Sequence, residues 1–427
     1  MKKTALLACL ASLILFLAGC GATPPSAGRG QAQKKKITFL HYFSNTLSYG
    51  NAQLIKSFND HSAEYELEAT TLDHEAFKTS IYETLKAGNP PDIYSNWAGA
   101  RVRAILEHLE PIDDIWKEGN LDKAFNRSLI DTACTYDGKK YLIPISQHFI
   151  AFFYNKKIFA DLKLTPPANW ADFIKVCDAI KKAGITPIAL GSKTKWPAQF
   201  WFDYLLLRTA PYEYREKLLK GEAGYDDPES LAAFKLWSGL LLKGYFNAKP
   251  NDTDWESGAN EMVFKGEAAM TLMGAWITGS YSDEKHKWTQ GKDYDFFPFP
   301  SVDEKIPKAM LGGLDGLVIP KKAVNVTGAK KALLHLAGVE SQKNMSRGWG
   351  TLAPNINIEK NFYTDMQQRL LAEAASCPKL AFHYDLTTPP AAATAGLAMF
   401  TRIIEFPADY EVIIKNALPD FTEAFNK

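Results

Sequence analysis

An alternation of hydrophobic period over residues 37–97 restricts the fold more than any other feature of this chain. Ile37-Thr38-Phe39-Leu40 is a short β-prone run that ends in His41-Tyr42-Phe43-Ser44-Asn45. Leu54, Ile55 and Phe58 then recur at helical spacing, and Tyr65-Glu66-Leu67-Glu68-Ala69 alternates like a strand. Phe77, Ile81 and Leu85 mark a second helix closed by Gly88, and Pro90-Pro91-Asp92 introduces the strand Ile93-Tyr94. Strand, helix, strand, helix, strand at this spacing predicts an α/β fold with a parallel sheet covered by helices. Ligands of such sheets sit outside the carboxyl ends of the strands. His41 to Asn45 and Ser95 to Ala98 are therefore expected at the mouth of a first lobe.

What precedes Ile37 reads as an export signal. Lys2 and Lys3 stand before an uncharged apolar run, Ala5 to Ala18, which ends in Leu17-Ala18-Gly19-Cys20. A basic start, an apolar stretch and small residues before a cut site define a secretory signal. Spanning a membrane takes about 20 apolar residues, and this run stops at Gly19-Cys20-Gly21. The small-small-Cys ending resembles the bacterial lipobox, which implies a signal peptide over 1–19 and Cys20 as an acylated, palmitate-bearing N-terminus. Residues 20–36 contain no bulky apolar side chain and are expected to form a flexible tether.

The remainder, Ile37 to Lys427, is long enough for two or three domains. With 49 basic against 48 acidic residues, and no basic stripe to neutralise phosphates, nucleic acid is excluded as a partner. Cys134, Cys177 and Cys377 are odd in number, lack zinc-ligand spacing and include no CxxC. They are expected to be mostly buried core residues, with one disulfide among them left open by the sequence, and no metal or cofactor is expected.

Tyr141 to Ile145 and Phe149 to Tyr154 are apolar strand halves broken by Ser146-Gln147-His148, a pattern that suits a crossover between two lobes. Helices are predicted over Trp170 to Ala183, within Gln199 to Leu242 and before Gly266. Strand character returns in Ala268 to Ile277 and from Phe296 to Pro320, and the last hundred residues read as mainly helical.

Six segments together resemble the bacterial extracellular solute-binding proteins of carbohydrate ABC importers, the group that contains the maltose-binding protein. They are Gly88 to Ile93, Asp137 to Pro144, Phe153 to Phe159, Pro166 to Phe173, Gly184 to Ala189, and Gly266 to Met270 with Gly274-Ala275-Trp276. The resemblance implies two α/β lobes of the type II periplasmic-binding-protein fold, with a ligand cleft between them and a hinge of strand crossings. Carried onto this chain, the first lobe takes 37–147 and 314–362, and the second 148–313 and 363–427. It further implies a monomer that delivers a carbohydrate ligand to membrane permease subunits from the outer face of the cell membrane, or from the periplasm in a two-membrane host.

A sugar presents hydroxyls to charged or amide groups and C–H faces to flat rings, so its cleft needs a few polar side chains and aromatic platforms. The resemblance places a stacking Trp at Trp276, where Gly274 and Ala275 let the backbone come close; a lobe-core Trp is the alternative. Trp97, in a turn after a strand, either faces the cleft or folds back on its lobe. Trp196, just past a strand end, and Trp349, between Gly348 and Gly350, have the same two options. His148 sits where the crossover points a side chain at the hinge floor. His41, Ser44 and Asn45 fall where the family's first ligand loop lies. Asp315, in Gly312-Gly313-Leu314-Asp315-Gly316, is the leading carboxylate and Glu75 a second; a turn-forming role and a solvated surface are the respective alternatives.

A secreted glycosidase would need two carboxylates about 5–10 Å apart, and no motif places Asp315 and Glu75 together. Nucleophile elbow, phosphate loop and HExxH helix are all missing from the sequence, so a binder rather than an enzyme is expected. A polyamine ligand would require several cleft carboxylates, which sequence alone does not identify.

Overall fold

The computed structural model describes residues 33–44 and 47–426, apart from the side chain of Trp349. Signal segment 1–19, Cys20, most of the tether and Asn45 lie outside the described residues.

Nine strands form one sheet: β1 (Lys35–His41), β2 (Tyr65–Thr71), β3 (Ile93–Trp97), β4 (Ile143–Asn155), β5 (Thr186–Ala189), β6 (Ala268–Gly274), β7 (Tyr294–Phe297), β8 (Ala309–Val318) and β9 (Lys379–Phe382). Their order is β2-β1-β3-β8-β4-β6-β5, with β9 beside β8 and β7 beside β4. The expected parallel arrangement holds for β2-β1-β3 and again for β5-β6. Between those groups the sheet is antiparallel, because β8 and β4 run past each other as long crossing strands.

β1 begins at Lys35, two residues earlier than expected, and the Lys35 ammonium meets Glu64 at 3.2 Å. The helices follow their local signals. Asp73 caps the helix His74–Ala87 by accepting from the N–H groups of Glu75 and Ala76, and Gly88, at φ +77°, closes it. Phe77, Ile81 and Leu85 form its buried face.

Two hydrophobic cores divide the molecule. One joins β1–β3, Ile143 and Ile145 to Leu314, Leu317, Val318 and the helix Val326–Leu336. The other joins Phe149 to Tyr154, β5, β6 and the central helices to Leu311 and the C-terminal helices. Leu352 and Ile358, expected in the first lobe, pack in the second core. Ser146-Gln147-His148 is therefore not a break in a strand: β4 runs unbroken for 13 residues, and this stretch lies where it passes from one core to the other. β8 makes the same passage alongside it, with Gly313 opposite His148, Leu314 opposite Gln147 and Asp315 opposite Ser146. A third passage pairs Leu352 with Gln147 through backbone hydrogen bonds of 2.7 and 2.9 Å.

Cys134, Cys177 and Cys377 are free thiols, the first two fully buried. Burial pushes all three up from the usual thiol pKa. No described helix is long and apolar enough to cross a membrane.

One buried ion pair fixes the segment 382–385 that reaches the seam. The Asp203 carboxylate accepts from Arg215 at 2.6 and 3.0 Å and from the Tyr384 N–H at 2.7 Å, and Arg215 also donates to the Phe382 carbonyl at 2.7 Å. Removing one partner leaves an unpaired buried charge. Asp203→Ala is expected to lower stability by about 3–5 kcal/mol in urea unfolding; a loss below about 1 kcal/mol would mean the pair is dispensable.

Candidate functional site

The seam forms the floor of a cavity of about 200 Å³ between the two cores. Tyr42, Ser44, Asp73, His74, Glu75 and Trp97 line it from the first lobe. His148, Asp315 and Thr351 come from the three passages, and Thr194, Trp196, Gln199, Asp254, Trp255, Glu256 and Trp276 from the second core's side. His383, Asp385 and Leu386 complete the wall.

Trp276 is half-buried in this wall at the end of β6. Its indole lies over Gly274, where a Cβ would approach it to 2.0 Å, so glycine is the residue that leaves room for the ring. His148 meets the ring edge-on at 4.7 Å, and Trp196 packs at 5.9 Å. Trp196 in turn touches Trp255 at 5.8 Å and, across the cleft, His74 at 5.9 Å between centroids. Trp255 and Glu256 are held at the wall by a π-helical segment, Trp255–Asn260, capped by the Asp254 carboxylate. Such π segments recur at functional sites.

Trp97 lines the cleft, but most of its surface is taken. Tyr42 stacks on it at 3.9 Å with planes 14° apart, and the Arg101 guanidinium lies 5.3 Å from its centre. Tyr42 also donates its hydroxyl to Asp315 Oδ1. Burial, then the Asp315 charge, push the tyrosine pKa well above its ordinary value, so the phenol keeps its proton. Asp315 Oδ2 lies 3.4 Å from His148 Nδ1. The register explains this cluster, because Asp315 stands opposite Trp97 of β3 on one side and Ser146 of β4 on the other.

His383 is 5% exposed, and its Nε2 has no hydrogen-bond partner among the described residues. Burial and the neighbouring His148, 5.1 Å away, hold its pKa well below the usual imidazole value. The ring is neutral, and a buried nitrogen of this kind needs a partner. Asp385 is also buried; burial raises its pKa, but the Arg101 guanidinium at 3.3 Å and Lys78 outweigh this and hold it at about 2. Glu75 behaves likewise: burial is outweighed by the hydrogen bond from His74 and by the Lys78 ammonium, leaving a pKa of about 2.

Of the expected residues, Trp276, His148, Trp97, Trp196, Asp315, Ser44 and Glu75 all line this one cavity. His41 does not. It is buried behind the wall, where its ring bonds Asn51 at 2.8 Å and Thr71 at 3.3 Å. Asn45 and the Trp349 side chain lie outside the described residues. Tyr42, Asp73, His74, Gln199, Asp254, Trp255, Glu256, His383 and Asp385 were not anticipated. Tyr42, Asp73 and His74 sit within segments already singled out; the 254–256 and 383–385 segments carry no motif.

The sequence pattern of the family described as bacterial extracellular solute-binding protein matches residues 67–343, and this chain belongs to that family. An ABC transporter extracellular-binding protein of Pyrococcus horikoshii is 27% identical over 370 residues, 84% of this chain and 80% of that one. The maltotriose-binding protein of Pyrococcus abyssi is 24% identical over 239 residues, 53% of this chain and 45% of that one. Among solved structures, the bacterial solute receptor AcbH, described as preferring β-D-galactopyranose exclusively, superposes with a TM-score of 0.85 at 27% identity, covering 92% of this chain and all of that one. A chitin oligosaccharide binding protein superposes at 0.83 with 24% identity, covering 92% of this chain and 100% of that one. The two-lobed α/β architecture is that of solute-binding proteins.

The buried histidines give stability a definite pH dependence. Burial lowers the His41 pKa to about 4, whereas an unfolded imidazole titrates near 6.5. Between those values the unfolded chain binds more protons, so stability falls as pH drops from about 6.5 to 4. His383 acts in the same direction. Thermal midpoints measured across this range should decline with a shallower slope in His41→Asn; an identical slope would refute a neutral, buried His41.

Proposed function

We propose that this chain captures a mono- or oligosaccharide in the cleft and delivers it to an ABC import permease. The observation that carries the reading is the half-buried Trp276 indole on the cleft wall beside the unpartnered His383 Nε2. One offers a flat apolar face for a sugar's C–H groups, the other a hydrogen-bond partner for a hydroxyl. Trp196, Trp255, Gln199, Asp315 and Thr194, whose hydroxyl is also without a partner among the described residues, supply further groups of both kinds. The sugar descriptions of AcbH and of the maltotriose-binding relative support the same class of ligand.

In this reading the first lobe comprises 35–145 with 314–351, the second 149–311 with 352–426, and the seam is the hinge. Membership of an extracellular family supports action outside the cytoplasm. The small-small-Cys motif supports removal of 1–19 and lipid anchoring at Cys20 of a protein that acts as a monomer. The protein binds and releases without chemistry: Glu75 and Asp385 are held ionised by neighbouring cations, at pKa values of about 2, rather than raised to serve as a general acid. Ligand contacts from both lobes favour the closed arrangement, and only that difference in affinity can shift the balance.

Specific sugars should raise the thermal midpoint of the purified chain, and sustained turnover of any glycoside would contradict a binder. Trp276→Ala should weaken the best sugar at least tenfold, about 1.4 kcal/mol, by titration calorimetry; near-wild-type affinity would sink the stacking role. Small-angle scattering should show a smaller radius of gyration at saturating sugar, and an unchanged radius counts against hinge closure.

A further inference from the structure

We infer that the cleft selects saccharides by charge, taking a sugar with a protonated amine in preference to its neutral parent and rejecting acidic sugars; this rests on the sugar-binding reading. Asp73, Glu75, Asp254, Glu256, Asp315 and Asp385 all line the cavity, and no described lysine or arginine does. Two of these charges are balanced from behind the wall, Glu75 by Lys78 at 2.9 Å and Asp385 by Arg101 at 3.3 Å. Asp73 and Asp254 are not. Each caps a helix, on opposite sides of the cleft, and neither is in an ion pair with a described residue. The two sides approach where His74 meets Trp196, so drawing the lobes together brings like charges closer unless a cation lies between them.

The same wall presents what an ammonium group needs besides charge. Trp196, Trp255 and Trp276 carry aromatic rings suited to cation–π contact, and the nine-tenths-buried His383 lines the cavity with an Nε2 that hydrogen-bonds no described residue. Among the described residues no three His, Cys, Asp or Glu side chains converge in a way that holds a metal ion. A uronate or sugar phosphate would add negative charge to a wall with none of the opposite sign.

Titration calorimetry on the full chain tests this with three matched sets of probes: glucose, galactose and mannose with their disaccharides, the corresponding 2-amino-2-deoxy sugars, and the uronates. For at least one set, the amino sugar should bind about tenfold or more tighter than its neutral parent at low salt, with no detectable uronate binding. Raising the salt to about 0.5 M should narrow the gap through screening. In the Asp73→Asn/Asp254→Asn double variant the gap should fall below about threefold, because asparagine keeps the capping oxygen and removes only the charge. Binding of the neutral parent as tight as that of the amino sugar, or of a uronate within about threefold of it, overturns charge selection alone. Binding of none of the three classes overturns the sugar-binding reading itself.

Discussion

The rest of the molecule depends on the antiparallel pairing of β4 with β8 at the point where both leave one core for the other. Backbone groups between two cores cannot be buried without partners, and here each passage supplies them to its neighbour: β4 to β8, and Gln147 to Leu352. Once the backbone is satisfied, polar side chains can stand where the apolar pattern lapses. The two glycines of β8 complete the arrangement. A Cβ on Gly313 would lie 2.4 Å from His148 Nε2, and one on Gly312 would lie 2.6 Å from the His148 carbonyl. His148 can turn toward Trp276 and Asp315 because its partner strand has no side chains there.

The electrostatics of the cleft follow from this floor. Asp315 is held between the Tyr42 hydroxyl and His148, so a carboxylate of 7% exposure is tolerated without a metal or a lysine. Asp385, on the opposite wall, relies on Arg101, which also lies against the Trp97 ring. One arginine thus positions an aromatic of the first lobe and a carboxylate carried by the C-terminal segment. The Asp203–Arg215 pair anchors that segment from the other direction through Phe382 and Tyr384. The cleft is shaped by buried charges that are matched mostly outside the ligand's reach.

The family architecture persists at low identity because it needs only the parallel strand groups, the two cores and the paired passages. Many of the cavity's polar and aromatic groups are carried by short segments at helix starts and strand ends. Asp73-His74-Glu75 opens a helix, Asp254-Trp255-Glu256 opens a π-helical turn, and His383-Asp385 follows β9. Helix starts are already points where side-chain oxygens meet backbone N–H groups. A capping carboxylate placed there also faces the cavity, so local folding and ligand selection share a residue.

The alternation of strand and helix periods and the polar residues at 146–148 were legible in the chain, since each depends on residues near in sequence. So were Trp276, His148 and Asp315, which sit at strand ends or crossings. His41 was misplaced because the ligand side of a strand end is decided by which way its last residue points, and β1 turns that ring inward to Asn51 and Thr71. The 254–256 and 383–385 segments stayed invisible because nothing local marks them; they reach the cleft through contacts distant in sequence, Trp255 on Trp196 and 382–385 on Asp203, Arg215 and Arg101. Periodicity gave an α/β fold with a crossing at 146–148, and the family resemblance of six segments implied the two lobes and the solute. That six carboxylates from distant segments line one cleft came from the folded chain, since charges far apart in sequence meet only when the cores on either side have formed.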